Sequence, residues 1–483
     1  MHVHLRRLAA RASATTIPCL LLAACGAPPK AVEDTGAAIS AAAAVQAGDP
    51  IAFRLQAPPL DEPAISGTDT LTVAQAVERA LRTDPGLQAA LARVRMAEAE
   101  AHQAGLLPNP ILSVVVWFPT PGGSPEAEVF LAIDLIRALQ TPSREGAAKA
   151  RLLASSSEAV TAALDLAATV GETYAAAQAS DVLIPLLEGR RELLDRLLKL
   201  ARSRLDAGEG TRSDITTLEA ERVTLEVEIA EAALTRRDAR LRLSRLVGEP
   251  SGSAGWPLEP FRAPPEIVAP EGAWVETALT RRPEVAAITY ELAALGYDLR
   301  QTRLLPFEGG NIGPSTNYGG NAWGPGPSIN TPLPIFDWGQ AKKELVQAQQ
   351  IEAVHRLSLQ QRQIVEEVRR AHESLRATRE NLARVRNELI PLQERRRTEA
   401  EAAFRNGQTD VTPLFLAEQQ LRETQARRVE LEQRTTESLI RLQRAAGGAG
   451  VAVGLGQAPT VPAAPDAPSP SAGPTARAGA PAP

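Results

Sequence analysis

Aromatic residues make up only 4% of this 483-residue chain, and two cysteines, two methionines and five histidines complete a short inventory of soft or reactive side chains. So little ring bulk argues against one large compact core and for helices that meet closely through small residues. His2 and His4 lie near the N-terminus, while His102, His355 and His372 stand alone on helical segments, so neither a metal site nor a cofactor is expected. Cys19 falls in the leader, so the mature chain keeps at most Cys25 and an internal disulfide is excluded. The net charge of -5 comes without a basic patch interleaved with aromatics, and nucleic acid is not an expected partner. No nucleophile elbow, phosphate-binding glycine motif or metal-ligand spacing is present. Gly208-Glu209-Gly210 is too short for a phosphate loop and lacks its lysine, so it reads as a turn at a helix tip. Nothing here points to an enzyme.

What the chain does have is Ala, Leu, Glu, Arg and Gln in abundance, all strong helix formers. It also has an address. Arg6, Arg7 and Arg11 precede a short apolar run, 17–24, that is closed by small residues and is too short to cross a membrane. The run ends in Leu22-Ala23-Ala24-Cys25, which resembles the bacterial lipobox, whose cysteine is acylated and becomes the mature N-terminus. Gly26, where Asp tends to mark inner-membrane retention in such lipoproteins, directs the expectation to the outer membrane. An ordinary signal peptide with an incidental Cys25 stays open as the alternative.

The sequence then says nearly the same thing twice. Ala80-Leu81-Arg82-Thr83-Asp84-Pro85 recurs as Ala278-Leu279-Thr280-Arg281-Arg282-Pro283, and Leu106-Leu107-Pro108 as Leu304-Leu305-Pro306, both at an offset of 198. Ala207-Gly208-Glu209-Gly210 is echoed by Asn406-Gly407-Gln408-Thr409, and Glu219 by Glu418, at 199. A constant offset over this distance means duplicated architecture. Each copy should hold a short helix, a proline, an amphipathic helix, a Leu-Pro stop, strand-like residues and two long helices joined at a glycine.

The expected organisation is a signal peptide at 1–24, a lipidated tether at 25–70, a first repeat at 71–250, a linker at 251–270, a second repeat at 271–446 and a disordered Ala/Pro-rich tail at 447–483. In the first repeat, 111–118 and 129–136 read as strands around a turn-rich 119–125. Val129, Leu131, Ile133 and Leu135 alternate with Glu128, Phe130, Ala132 and Asp134, as a membrane-barrel strand would, over nearly the roughly 9–11 residues that span a bilayer. A soluble hairpin remains an equal reading of this copy alone. The long hairpin is expected over about 142–247. Its descending arm would reach about 97 Å, and its returning arm carries 3–4 spacing at 218, 222, 225, 229, 232, 236, 239, 243 and 246, a coiled-coil-like seam with Arg222 and Arg236 as polar interruptions. The second repeat should place strands at about 307–336 and a hairpin at about 337–446. Glycine and proline crowd that strand region, and only the duplication argues for drawing strands there.

With its glycine turns, paired Leu-Pro stops and Leu333-Pro334-Ile335-Phe336-Asp337-Trp338-Gly339, the chain resembles the TolC family of outer-membrane efflux proteins over about 70–446. Leu107-Pro108-Asn109-Pro110 and the lipobox make it most similar to the CzcC/CusC-like lipoprotein subgroup. The resemblance implies a mainly α fold with a β-barrel part, in which long antiparallel helical hairpins of three chains form an α-barrel below a membrane β-barrel with four strands per chain. Physics agrees on assembly, because unpaired strand edges are too costly in lipid and four strands cannot close when known barrels begin at about eight. The implied function is the passive outer-membrane conduit of a tripartite efflux system, lipid-anchored with a long periplasmic extension. Its implied partners are two further copies in a homotrimer, a periplasmic adaptor (membrane fusion protein), an inner-membrane RND-type pump and outer-membrane lipid, and the subgroup implies heavy-metal cations as cargo. The resemblance also implies a lipid at Cys25, adaptor docking at Gly208, Gly210, Thr211, Gly407, Gln408 and Thr409, and an entrance gate from Asp214, Asp410 and Phe404. Asp214 stands six residues after Gly208, as in the family, whereas Asp410 stands three after Gly407. Asp214 as a plain helix cap stays open, as do two other functions: a periplasmic adaptor-type lipoprotein, and a TolC-like channel for drugs or secreted protein.

Overall fold

The structure is a computed structural model that describes residues 30–42, 51–56, 59–65, 69–118, 125–208, 211–262, 264, 269–319, 322–406, 408–409 and 412–448. Cys25, Gly210, Gly407, Asp410 and the tail from 449 onward lie outside the described residues. Helix α1, Lys30–Ala42, falls where the sequence suggests a tether. It buries Val32, Thr35 and Ile39, spaced for one helical face, and Val32 and Ile39 join a cluster with Ile51, Leu91, Val94 and Ala163.

Helices α2 (Val73–Thr83) and α3 (Pro85–Gly105) follow. Thr72 and Gln75 form a reciprocal capping box that opens α2. Asp84 then opens α3, its carboxylate accepting from the Leu87 N–H at 2.8 Å ahead of Pro85, whose fixed φ suits a first helical position. Strands β1 (Ile111–Trp117) and β2 (Glu126–Asp134) lead into α4, Leu135–Asp206. At 72 residues α4 is about 108 Å long. It starts at Leu135 rather than near 142, because the Asp134 carboxylate accepts from the Arg137 N–H at 2.8 Å and caps it there. Pro142 and Pro185 lie inside it. Each removes one backbone donor, and packing of α4 along neighbouring helices carries it through.

Helix α5, Arg212–Leu246, returns along α4. Of the seam positions read from the sequence, Leu225, Ala239, Leu243 and Leu246 are buried. The two interruptions pair across to α4, Arg236 with Asp181 at 2.7 Å and Arg222 with Asp195 at 3.8 Å. The 247–258 segment then folds back: Val247, Ala254 and Trp256 join Leu71, Ala80 and Tyr174 in a second core cluster.

The second copy holds α6 (Glu271–Arg281), α7 (Pro283–Gln301), β3 (Asn311–Gly319) and β4 (Ala322–Asn330). Its descending arm is α8 (Gln340–Arg384), a π turn at Val385–Leu389, and α9 (Ile390–Arg405). The wide turn sits just before Pro391, where a regular helix would lose a donor and meet a clash. Helix α10, Thr412–Ala445, returns and packs on α8, α9 and α4. The four strands form one antiparallel sheet in the order β1-β2-β3-β4. No described helix is long and apolar enough to cross a membrane.

Candidate functional site

Strand register sorts the sheet residues into two faces. Pairing Val114 with Val129, Val129 with Thr316 and Thr316 with Pro325 puts Leu112, Val114 and Val116 on one face with Ala127, Val129, Leu131 and Ile133. Ile312, Pro314, Thr316 and Tyr318 of β3 and Trp323, Pro325, Pro327 and Ile329 of β4 share that face. Thr316 is its sole hydroxyl-bearing aliphatic, and most of its large side chains, Leu112, Leu131, Trp323 and Ile329 among them, are exposed, with Val129 and Tyr318 half-buried. The opposite face carries Glu126, Glu128, Phe130, Ala132 and Asp134 on β2, then Asn311, Gly313, Ser315 and Asn317 on β3 and Gly324, Gly326, Ser328 and Asn330 on β4. It is mixed on β1, with Ser113 beside Ile111, Val115 and Trp117, and on β2, and wholly small or polar on β3 and β4.

In β3 and β4, Gly and Pro themselves carry the alternation. Proline fills apolar-face positions, and glycine the opposite ones. A side chain at Gly313 would put its Cβ 1.8 Å from the Leu131 carbonyl oxygen, so the strands approach there on condition that the residue is glycine.

At the other end of the hairpins, Gly208 closes α4 with φ +80°, a left-handed conformation that favours glycine. The Ala207 N–H bonds the Ser203 carbonyl at 3.1 Å and the Gly208 N–H the Leu205 carbonyl at 3.0 Å. Thr211 precedes α5, and Asp214 is the third residue of that helix rather than its N-cap. At the second tip, Phe404 is the penultimate residue of α9, Gln408 donates its N–H to the Ala403 carbonyl at 2.9 Å, and Thr409 follows.

Ion pairs tie each hairpin together near its tip: Arg202 with Glu219 at 2.8 Å in the first, Arg397 with Glu418 at 2.6 Å in the second. The repeated glutamates noticed in the sequence thus each hold an arginine of the descending arm. Other contacts join the two hairpins. Glu221 pairs with Arg190 and accepts from the Gln419 amide at 3.1 Å, while Arg441 meets Glu172 at 2.8 Å and Arg444 meets Asp165 at 2.6 Å. The sequence pattern gave no sign of these partners, which are distant along the chain. Among the described residues no group of His, Cys, Asp or Glu is arranged to hold a metal.

Two long hairpins, stacked on helix pairs and topped by an open two-faced sheet, define the fold of the TolC-type outer-membrane channels, and the chain has that fold. The outer-membrane channel OprN matches with a TM-score of 0.66 and 19% identity, over 78% of this chain and 90% of its own. CusC, from work on folding and transmembrane channel formation, matches with a TM-score of 0.65 and 17% identity, over 82% and 99%. The likenesses are of equal depth, so the fold does not single out the metal-linked subgroup. In sequence, the outer membrane efflux protein BepC of Brucella suis is 27% identical over 175 residues, 34% of this chain. That alignment spans 37% of BepC, little more than a third of the relative's length. No protein-family model matches the chain.

Proposed function

We propose that three copies of this chain form a passive outer-membrane exit channel of a tripartite efflux system. The observation that carries the reading is the sheet: an apolar face, an opposite face that is mixed on β1 and β2 and made of Gly, Ser, Asn and Ala on β3 and β4, and two open edges on a unit of four strands. Such a sheet suits a bilayer only when closed, with its apolar face toward lipid and the more polar face toward water. Three copies supply twelve strands, and their long hairpins line a conduit into the periplasm. Acyl chains on Cys25 anchor each protomer to outer-membrane lipid. An adaptor docks around Gly208–Thr211 and Gly407–Thr409, and an inner-membrane RND-type pump supplies the cargo. The lipobox and Leu107-Pro108-Asn109-Pro110 favour heavy-metal cations as that cargo. The adaptor-type alternative carries one hairpin inside a strand-rich region, whereas here two hairpins each follow their own pair of strands. A conduit of this kind uses no catalytic residue.

At the entrance, Asp214 of three copies forms an acidic ring, with Asp410 and Phe404 contributing from the second tip. Rings of like charge at a narrow point concentrate counter-ions and select by sign. Purified protein in planar bilayers should therefore conduct with a preference for cations, and Asp214→Asn should weaken that preference by about threefold or more. Absence of any conductance would sink the channel. Unchanged selectivity in the variant would remove Asp214 from the gate.

A further inference from the structure

The prolines of β4 lie along the edge through which the barrel must close. Pro314 and Pro327 face each other across β3 and β4. Neither has an N–H, so they cannot be a hydrogen-bonded pair, and the backbone groups of Pro327 point away from β3. In an antiparallel strand alternate residues share that direction, so Trp323, Pro325, Pro327 and Ile329 all present their backbones to the free edge of β4. Pro314 correspondingly faces β2, and the β2–β3 register is interrupted at Leu131 and Ala132, opposite Pro314 and Gly313. Carrying the parity through β2 leaves Leu112, Val114 and Val116 presenting their backbones to the free edge of β1.

The two free edges are therefore unequal. Each of the three outward residues of β1 has a donor and an acceptor. The four of β4 have four acceptors and only two donors, those of Trp323 and Ile329. The edges run antiparallel and belong to the same apolar face, so they match. A register engaging all three β1 residues, whether Leu112 meets Ile329 or Pro327, gives three bonds toward β4 and one in return.

We propose that the free edge of β4 is a donor-poor seam that takes β1 of a second copy, and that Pro325 and Pro327 make this seam the weakest line of the closed barrel. Proline on an exposed edge hinders pairing with any strand that needs its donors, a recognised way of protecting an edge. Three unhindered donors on β1 compensate. This inference rests on the closed-barrel reading above, and its test separates the two.

Full-length protein carrying Leu112→Cys with Ile329→Cys, or Val116→Cys with Trp323→Cys, covers the two registers and is treated with a short bifunctional thiol reagent in outer membranes. One pair should give a covalent ladder up to three chains, and the corresponding single-cysteine variants should not. Loss of the ladder in both pairs would overturn the seam and the closed barrel together. With the ladder present, Pro325→Val/Pro327→Val should raise the temperature at which the detergent-solubilised oligomer dissociates by about 5 °C, and each single change by about half. Pro314→Val, whose nitrogen faces β2 within the chain, should leave that temperature unchanged. A ladder with no rise in the proline variants would reject the proline-limited seam and leave the channel standing.

Discussion

Asp84 and Arg282 stand at the same step of the two copies, each between two helices and each before a proline that opens the second. Their backbones nearly coincide, with φ and ψ of -64° and 120° in one and -68° and 125° in the other. Their chemistry does not. Asp84 caps its own helix through the Leu87 N–H, a local bond. Arg282 makes no cap; it is 5% exposed and reaches Glu284 at 3.1 Å and Glu367 of α8. Glu284 in turn meets Arg444 at 2.7 Å, and Arg444 meets Asp165 of α4 at 2.6 Å. The same backbone step is thus closed by local capping in the first copy and by a charge relay across four helices in the second. Duplication has preserved the shape and let the chemistry of support diverge.

The relay should be the costlier of the two to break. Removing one member of a buried ion pair leaves uncompensated charge, typically costing 3–5 kcal/mol. Glu284 keeps Arg444, so Arg282→Ala should cost about 3 kcal/mol, the low end of that range, in thermal unfolding of the solubilised protein. Acid should act on the same place. Burial works against ionising Glu284, but Arg444 and Arg282 outweigh it and hold the carboxyl below its ordinary range. A carboxyl with a depressed folded-state pKa contributes stability that is complete above its unfolded pKa of about 4.3 and is lost as pH falls through the folded value. The wild-type junction should therefore loosen only below about pH 4, whereas Arg282→Ala should shift that loss to higher pH. A variant with an unchanged acid profile would show that Arg444 alone sets the state of Glu284.

Asp84→Ala tests the local side of the comparison and should cost about 1 kcal/mol, the usual value for an N-cap, while Asp84→Asn should cost only a few tenths. Equal losses at Asp84 and Arg282 would mean that the relay is no more than a substitute cap.

The duplicated plan was legible because its punctuation is local: Pro85 and Pro283, the Leu-Pro stops, and glycine at the tips. The first copy's strands were legible for the same reason, since Val114, Val116, Val129 and Leu131 carry both β-propensity and alternation. The second copy's strands are masked because Gly and Pro have little β-propensity. Their period of two was present all along, in Pro314, Thr316, Pro325 and Pro327 against Gly313, Gly324 and Gly326. The helix α4 begins before the expected 142 because Asp134 caps it at Leu135, and Pro142 is carried inside the helix. The partners of Arg282, Glu221 and Gln419 could not be read, since nothing local marks a contact made 85 or 198 residues away.

The smallest effect should appear where the two copies look most alike. Glu219 and Glu418 hold Arg202 and Arg397 at nearly equal distances, but their side chains are 49% and 17% exposed. Water and salt screen the first pair more completely, and exposed pairs are worth about 0–1 kcal/mol. Glu418→Gln should then cost about 0.5 kcal/mol and Glu219→Gln almost nothing measurable, in double-mutant cycles with Arg397 and Arg202. Raising the salt concentration tenfold should shrink the Glu418 coupling and leave the Glu219 coupling where it was, near zero. Geometry predicts two equal clamps and burial predicts one, so equal couplings would mean that distance, not exposure, decides the strength of these ties.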